Sequence, residues 1–479
     1  MAVKLAPESP ASRLSWLGAA KPGRDVFRFG ISIFVGATFS AVQVFVIPRR
    51  LDLATYGQYR LFLVYVTYIE LLNFGLVDGA FLRWAGRRPD TIAFEWRVIA
   101  RWLLGIQALL IGIALLARAL VHDSTIQLYL IAFAVCATFV NVSVLSSYAL
   151  QASGDFKRAG RIFFLAPALF VLTIALTSFH SLTAMLLAYV GAFAVAAGYA
   201  AFSVMRVGHT ITREAHLPSD LSRSTLIRSG APVLGANVAA VLARSADRVL
   251  VSIVAPITSF ALYGFASTVM VAASVATQAL SRVALAHAAR RPLSDRAMFL
   301  GGFLDAIATA YGIGLVAEPF FEYLVARFLP AYVSALPIVR ALTVGLPLSV
   351  AIQVVLVGTL QSYGLVRRQL LVGLCGFALV VIFCGTALSL HAPLWIVAAS
   401  ASAAAAVMIA VGDVIVRRVV VEARGQTSLQ FIAVIAAQSV ALGAALALSD
   451  NWMVRSVTYG ALAVLPTWLM YQRVQKHGW

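Results

Sequence analysis

Apolar runs of about 20 residues, the length a helix needs to cross roughly 30 Å of hydrocarbon, follow one another along almost the whole chain. About fourteen lie between residues 29 and 471. The polar segments between them are short, and none could enclose a soluble core. Hydrophobic residues make up 61% of the chain, charged residues only 12%, and the mean hydropathy is +0.90. An average soluble domain carries roughly twice that charge. Lipid forces backbone polar groups to pair within the chain, and runs of this length do so as helices. The expected fold is an all-α polytopic membrane protein.

The basic residues set the expected orientation, because Lys and Arg resist translocation and collect in cytoplasmic loops. The tail before the first run holds Lys4, Arg13, Lys21, Arg24 and Arg28, and the loop after the second holds Arg83, Arg87, Arg88, Arg97 and Arg101. Later loops on the same side bring this to about 28 of the 37 Lys and Arg, including Arg213, Arg418 and Arg424. Opposite loops hold about five: Arg49, Arg50, Arg118, Arg327 and Arg455. An even number of crossings with both termini in the cytoplasm satisfies this distribution. It also explains the net charge of +18 without a nucleic-acid partner, which would require clustered cations.

Soluble-enzyme signatures fail on context. Gly312, Gly314 and Ala317 have GxGxxA spacing but fall in a spanning run, where no strand-to-helix turn exists to cradle phosphate. Cys136, Cys375 and Cys384 lie in apolar runs and read as small core residues. The histidines lack one-turn pairing, so no metal site and no cofactor is expected. The first 25 residues carry Pro7, Pro10 and Pro22 among scattered cations, with no apolar stretch that would make a cleaved leader. The loops are too short for the catalytic domain that a membrane glycosyltransferase, polymerase or ligase usually builds, and Asp52 alone in one of them supports such an enzyme poorly.

Ionisable groups inside apolar runs are the informative residues, because each is costly in lipid unless it meets a partner or water. The second run, residues 56–82, carries Arg60, Glu70, Asn73 and Asp78. The seventh, 227–254, carries Asn237, Arg244, Asp247 and Arg248; Asp305, Arg340 and Asp413 occupy later runs. On a helix, Asn237, Arg244 and Arg248 share a face with Asp247 beside them. That leaves a net positive stripe, beyond what a structural ion pair needs, although arginines near a helix end can also snorkel to the interface. Glu70, near mid-run with no cation one turn away, is the leading protonatable group. Asp413 beside Arg417, and Asp78 near Arg83, read as interfacial pairs. Pro232 and Pro347 are expected to bend their helices.

An internal echo is present. Arg28, Gly30, Tyr56 and Gly57 bracket the first helix as Arg228, Gly230, Tyr263 and Gly264 bracket the seventh. A parallel repeat would produce this pattern, and chance among common residues would produce it as readily.

The segments IPRRLDLATYG at 47–57, NFGLVDGAFLR at 73–83 and ADRVLVSIVAPITSFALYGFA at 246–266 resemble the Wzx-like polysaccharide and O-antigen flippases. Those belong to the MOP superfamily, with the MATE drug exporters and the lipid II flippase MurJ. The resemblance implies two pseudo-symmetric six-helix lobes around a central cavity, plus two C-terminal helices. Its divisions would be a cytoplasmic tail at 1–27, an N-lobe at 28–206, a linker at 207–226, a C-lobe at 227–416, a loop at 417–428 and the last two helices at 429–479. It implies a flippase in the bacterial inner membrane that carries undecaprenyl diphosphate-linked glycan across the bilayer. A polymerase and glycosyltransferases of the same pathway would be partners. Arg244 and Arg248, with Asn237 and Arg60, would bind substrate, and Glu70 and Asp247 would couple to protons or sodium. The rival within the superfamily is a MATE-type cation antiporter, which needs acidic cavity groups.

Overall fold

The computed structural model describes residues 35–36, 38–39, 42–84, 87, 89–177, 181–208, 221–289, 293–417 and 428–476. The basic N-terminal tail, Gly30, Arg88, Arg213, Arg418 and Arg424 lie outside them, as do most of the expected linker and the loop at 417–428. Every regular element among the described residues is helical. Ten helices are long and apolar enough to cross a membrane, or up to eleven if the bent second run counts as one span. The chain is a multi-pass membrane protein.

After helical residues 42–50, the second run splits into α1 (Leu53–Val66), a 3-10 turn (Ile69–Asn73) and α2 (Leu76–Trp84). The next elements are α3 (Pro89–Leu120), α4 (Ser124–Ala152), α5 (Phe156–Leu176) and α6 (Leu182–Gly208). These pack chiefly as α3 on α4, and α4 and α5 on α6. The second half comprises α7 (Arg223–Val254), α8 (Ile257–Ala289), α9 (Leu293–Gly314), α10 (Glu318–Phe328), α11 (Leu336–Ala351), a π turn (Ile352–Val357) and α12 (Gly358–Ser362), followed by α13 (Val366–Ser389) and α14 (Leu394–Arg417). Here α7 packs on α13, and α14 covers α11 and α13. The last pair, α15 (Ser428–Leu448) and α16 (Trp452–Lys476), lies against α9.

Local chemistry starts several helices. Asp52, Asp123 and Asp155 stand at the N-caps of α1, α4 and α5, and their carboxylates accept first-turn backbone N–H groups that would otherwise lack partners. Asp52 also accepts the Thr55 hydroxyl at 2.6 Å. That bond, with the backbone N–H groups, holds its pKa below the usual carboxylate value.

Two sequence expectations need correction. The second run, expected as one helix, is broken, with 59° between its two parts; Pro232 and Pro347 lie inside α7 and α11. At the break, Phe74 and Gly75 have φ of 52° and 80°, a conformation in which glycine costs little. The Asn73 side chain accepts the Gly75 N–H at 2.8 Å, while Gln107 of α3 and Asn141 of α4 donate to the carbonyls of Leu72 and Ile69. Neighbouring helices thus satisfy the backbone groups that the break exposes. Gly314 ends α9, and a 3-10 turn (Leu315–Ala317) leads into α10; the GxGxxA residues fall, as expected, inside one candidate span, Gly302–Phe328. Second, Cys136 and Cys384 are buried, but Cys375 is exposed.

The two halves touch at both ends of the bundle. At the end carrying Arg83, Arg87, Arg223 and Arg417, hereafter the basic end, α2 lies on α7. A Cβ on Gly79 would strike the Leu226 carbonyl, and one on Gly230 would strike that of Gly75. At the far end, α1 lies on α8. There Tyr56, Phe62, Phe260, Tyr263, Phe265 and Tyr332 join one buried core drawn from both halves. The echo residues meet in this crossing: Gly57 packs on Ile257 and Ala261, and Gly264 receives the Arg60 side chain.

Candidate functional site

The charged residues of α7 separate into two roles. Arg248 turns back on its own helix, donating to the Arg244 carbonyl at 2.6 Å and pairing with Asp247 at 3.8 Å. Asp247 is buried and accepts the Tyr263 hydroxyl at 2.7 Å. Arg244 projects outward, donates to Gln353 of the π turn at 2.8 Å and lies within electrostatic range of Glu70 in the 3-10 turn of the other half. A side chain that meets elements of both halves points between them and not toward lipid. One position along, Ser245 exchanges a 2.8 Å hydrogen bond with Tyr68, tying α7 to the same stretch of the second run.

The structure therefore brings together Arg244, Arg248, Asp247 and Glu70. Glu70 is exposed, and Asp78, mostly buried, lies within its electrostatic range. The net positive stripe expected from α7 alone is accordingly offset by carboxylates from the second run. Asn237 lies two turns away on α7 and is half-buried. Arg60 belongs elsewhere: it is 8% exposed, packed over Gly264 in the α1–α8 crossing.

The expected pair of Asp413 with Arg417 is present at 2.8 Å, and Ser428 donates to the same carboxylate. Asp413 lines a separate small cleft with Leu304, Val355 and Thr359, and neither Arg244 nor Arg248 borders that cleft. The reading of Asp78 with Arg83 needs correction, because Arg83 and Arg87 both bind Glu95, at 3.0 and 2.8 Å. Glu95 is 0% exposed and also accepts the Trp84 indole N–H.

Sequence reasoning missed Glu95, Glu318 and Glu322. Glu95 fell just before the third run, among orientation charges. Glu318 and Glu322 belong to α10, which lies beyond the end of the ninth run at residue 316, since two acids and Pro319 dilute its apolar character. Glu322 is the partner of Arg340, through bonds of 2.5 and 2.8 Å. Among the described residues, no group of three His, Cys, Asp or Glu is placed to hold a metal ion.

No protein-family model matches the chain, and no curated protein matches it in sequence. Solved structures do match. The lipid II flippase MurJ in an inward closed conformation superposes with a TM-score of 0.66 at 11% identity, covering 93% of this chain and 98% of that one. A MATE protein in complex with MaL6 gives 0.61 at 15% identity, covering 86% and 99%. An inward-facing multidrug resistance MATE family transporter of the MOP superfamily gives 0.60 at 14% identity, covering 84% and 96%. The chain thus has the fold of the MOP-superfamily transporters.

Proposed function

We propose that this chain is a flippase for an undecaprenyl diphosphate-linked oligosaccharide. By alternating access of its lobes, 28–206 and 227–416, it would carry that substrate from the cytoplasmic to the periplasmic leaflet of a bacterial inner membrane. Its product would enter O-antigen, exopolysaccharide or capsule assembly, beside a polymerase and glycosyltransferases. Both termini would lie in the cytoplasm, which makes the basic end the cytoplasmic one. The single observation that carries this reading is Arg244, exposed between the halves with its guanidinium available to both. The likeness in fold to a lipid II flippase supports a lipid-linked substrate, and the three segments similar to Wzx-like proteins support a glycan.

Chemically, a diphosphate would replace Glu70 as the counter-ion of Arg244, with Arg248 adding charge from one turn away and Asn237 a polar contact. Glu70, on a broken stretch of helix, can move aside or take up a proton as the anion arrives. Sodium could serve the same purpose. Asp247, already held by Tyr263 and Arg248, acts by orienting Arg248. Replacing Arg244 and Arg248 together by Ala should lower transport of the lipid-linked glycan in proteoliposomes at least about tenfold, since two charge-assisted contacts are lost. Normal transport by the double variant removes the site assignment.

The second reading, a MATE-type cation antiporter, is favoured by one observation: Glu70 and Asp78 approach each other in the second run. It predicts that Glu70→Gln and Asp78→Asn abolish drug efflux while Arg244→Ala does not.

A further inference from the structure

At the far end of the second half, Glu322 accepts two bonds from Arg340 and a third contact from Arg455 at 3.5 Å. Arg455 also pairs with Asp450 at 3.1 Å. Each of these groups has an opposite charge in contact. Glu318, one turn before Glu322 on α10, has none so close. It is only 9% exposed, and its Oε1 has no hydrogen-bond partner. The Thr343 hydroxyl beside the Glu318 carboxyl also donates to the Val339 carbonyl at 2.9 Å, and no donor reaches Oε1. An ionised carboxylate is acceptor-only, so a buried oxygen without a donor is better accommodated when Glu318 carries a proton.

The location gives that proton a consequence. Glu318 opens α10 just after the 3-10 turn, and α10 closes the far end. Phe321 packs edge-on against Phe45 at 6.0 Å, and Phe328 lies under the Arg49 guanidinium at 5.6 Å. Both partners come from helical residues of the first half. We propose that Glu318 is a proton-binding site coupled to this contact: the far end closes with Glu318 protonated and releases the proton when it opens.

A buried carboxylate oxygen without a donor is costly, and that cost disappears if the group is neutral or meets water. Closure therefore binds a proton, and opening lets it leave past Arg340, whose side chain is 38% exposed. The other titratable groups around Glu318 are Tyr311 on its own run, Glu322 and Arg340, and Arg455 and Tyr459 on α16, with Asp450 beyond Arg455. Tyr332, in the adjoining 3-10 turn (Pro330–Ala335), packs against Tyr56 and Phe265.

The test requires no substrate, so its failure would leave the arginine reading standing. With Cys375→Ser in place, cysteines are introduced at Phe45 and Phe321, and cross-linking by a short bifunctional maleimide is followed against pH in proteoliposomes. The closed-to-open ratio should fall by up to about tenfold per pH unit as pH rises, the limit for one linked proton. This trend opposes the increasing reactivity of the thiols themselves. Glu318→Gln should remain cross-linked across the range. Unchanged pH dependence in Glu318→Gln overturns the proposal. Infrared spectra of the chain with native cysteines provide an independent readout: a protonated carboxylic acid carbonyl band should be present and should vanish in Glu318→Gln. Retention of the full band in that variant would overturn it equally.

Discussion

The two ends at which the halves meet are closed by opposite means. At the basic end Gly75, Gly79 and Gly230 bring backbone against backbone, and a methyl group has no room. At the far end large side chains fill the contact, with Tyr332 wedged between Tyr56 and Phe265 at 5.4 and 4.9 Å. Added volume should therefore open the first, and lost volume should open the second. A bundle that shuts one end by close approach and the other by packing can tune them independently.

The largest expected effect concerns Glu95, whose pairs with Arg83 and Arg87 hold the basic end of α2 against α3. Glu95→Ala removes a fully buried carboxylate that accepts from Arg83, Arg87 and Trp84 and should cost about 3 kcal/mol, measured as a lowered unfolding temperature in detergent. Next, Gly230→Val should force the basic end apart, since backbone atoms cannot yield and overpacking costs typically 1–3 kcal/mol. With Cys375→Ser and a cysteine at Arg244, an impermeant maleimide should then label from the basic side. Tyr332→Leu sacrifices aromatic pairing of roughly 0.5–1.5 kcal/mol and should permit labelling from the far side. Identical labelling sides for the two variants would erase the contrast. The smallest effect belongs to Asp52→Ala at the far-end cap, about 1 kcal/mol. Because the folded-state pKa of Asp52 is depressed, its contribution is present above the ordinary carboxylate pKa and lost as pH falls through the folded value. Wild type and Asp52→Ala should converge in acid.

The spanning runs and the charged positions of α7 were legible because apolarity and formal charge are written locally. The pairing of those charges was not. Arg244 meets Gln353 and approaches Glu70 only after three separate segments assemble, so a stripe that reads as positive on one helix becomes balanced in the bundle. The break at Phe74–Gly75 was hidden for a related reason: residues 56–82 read as one apolar run despite the polar groups within it, and the side chains that accommodate the break, Gln107 and Asn141, come from other helices. Segment α10 escaped because its acids disrupt the hydropathy signal, and the same acids make it chemically distinctive.

The interrupted second run determines how motion can pass through the molecule. A single stiff rod touching α7 at one end and α8 at the other would act as a lever, prying one contact open whenever the other tightened. Divided at Phe74–Gly75, it resembles two airlock doors hung on one post with separate hinges. Under the proposed alternating access, either could stay shut while the other swings, and a chamber that never opens to both sides at once would not leak.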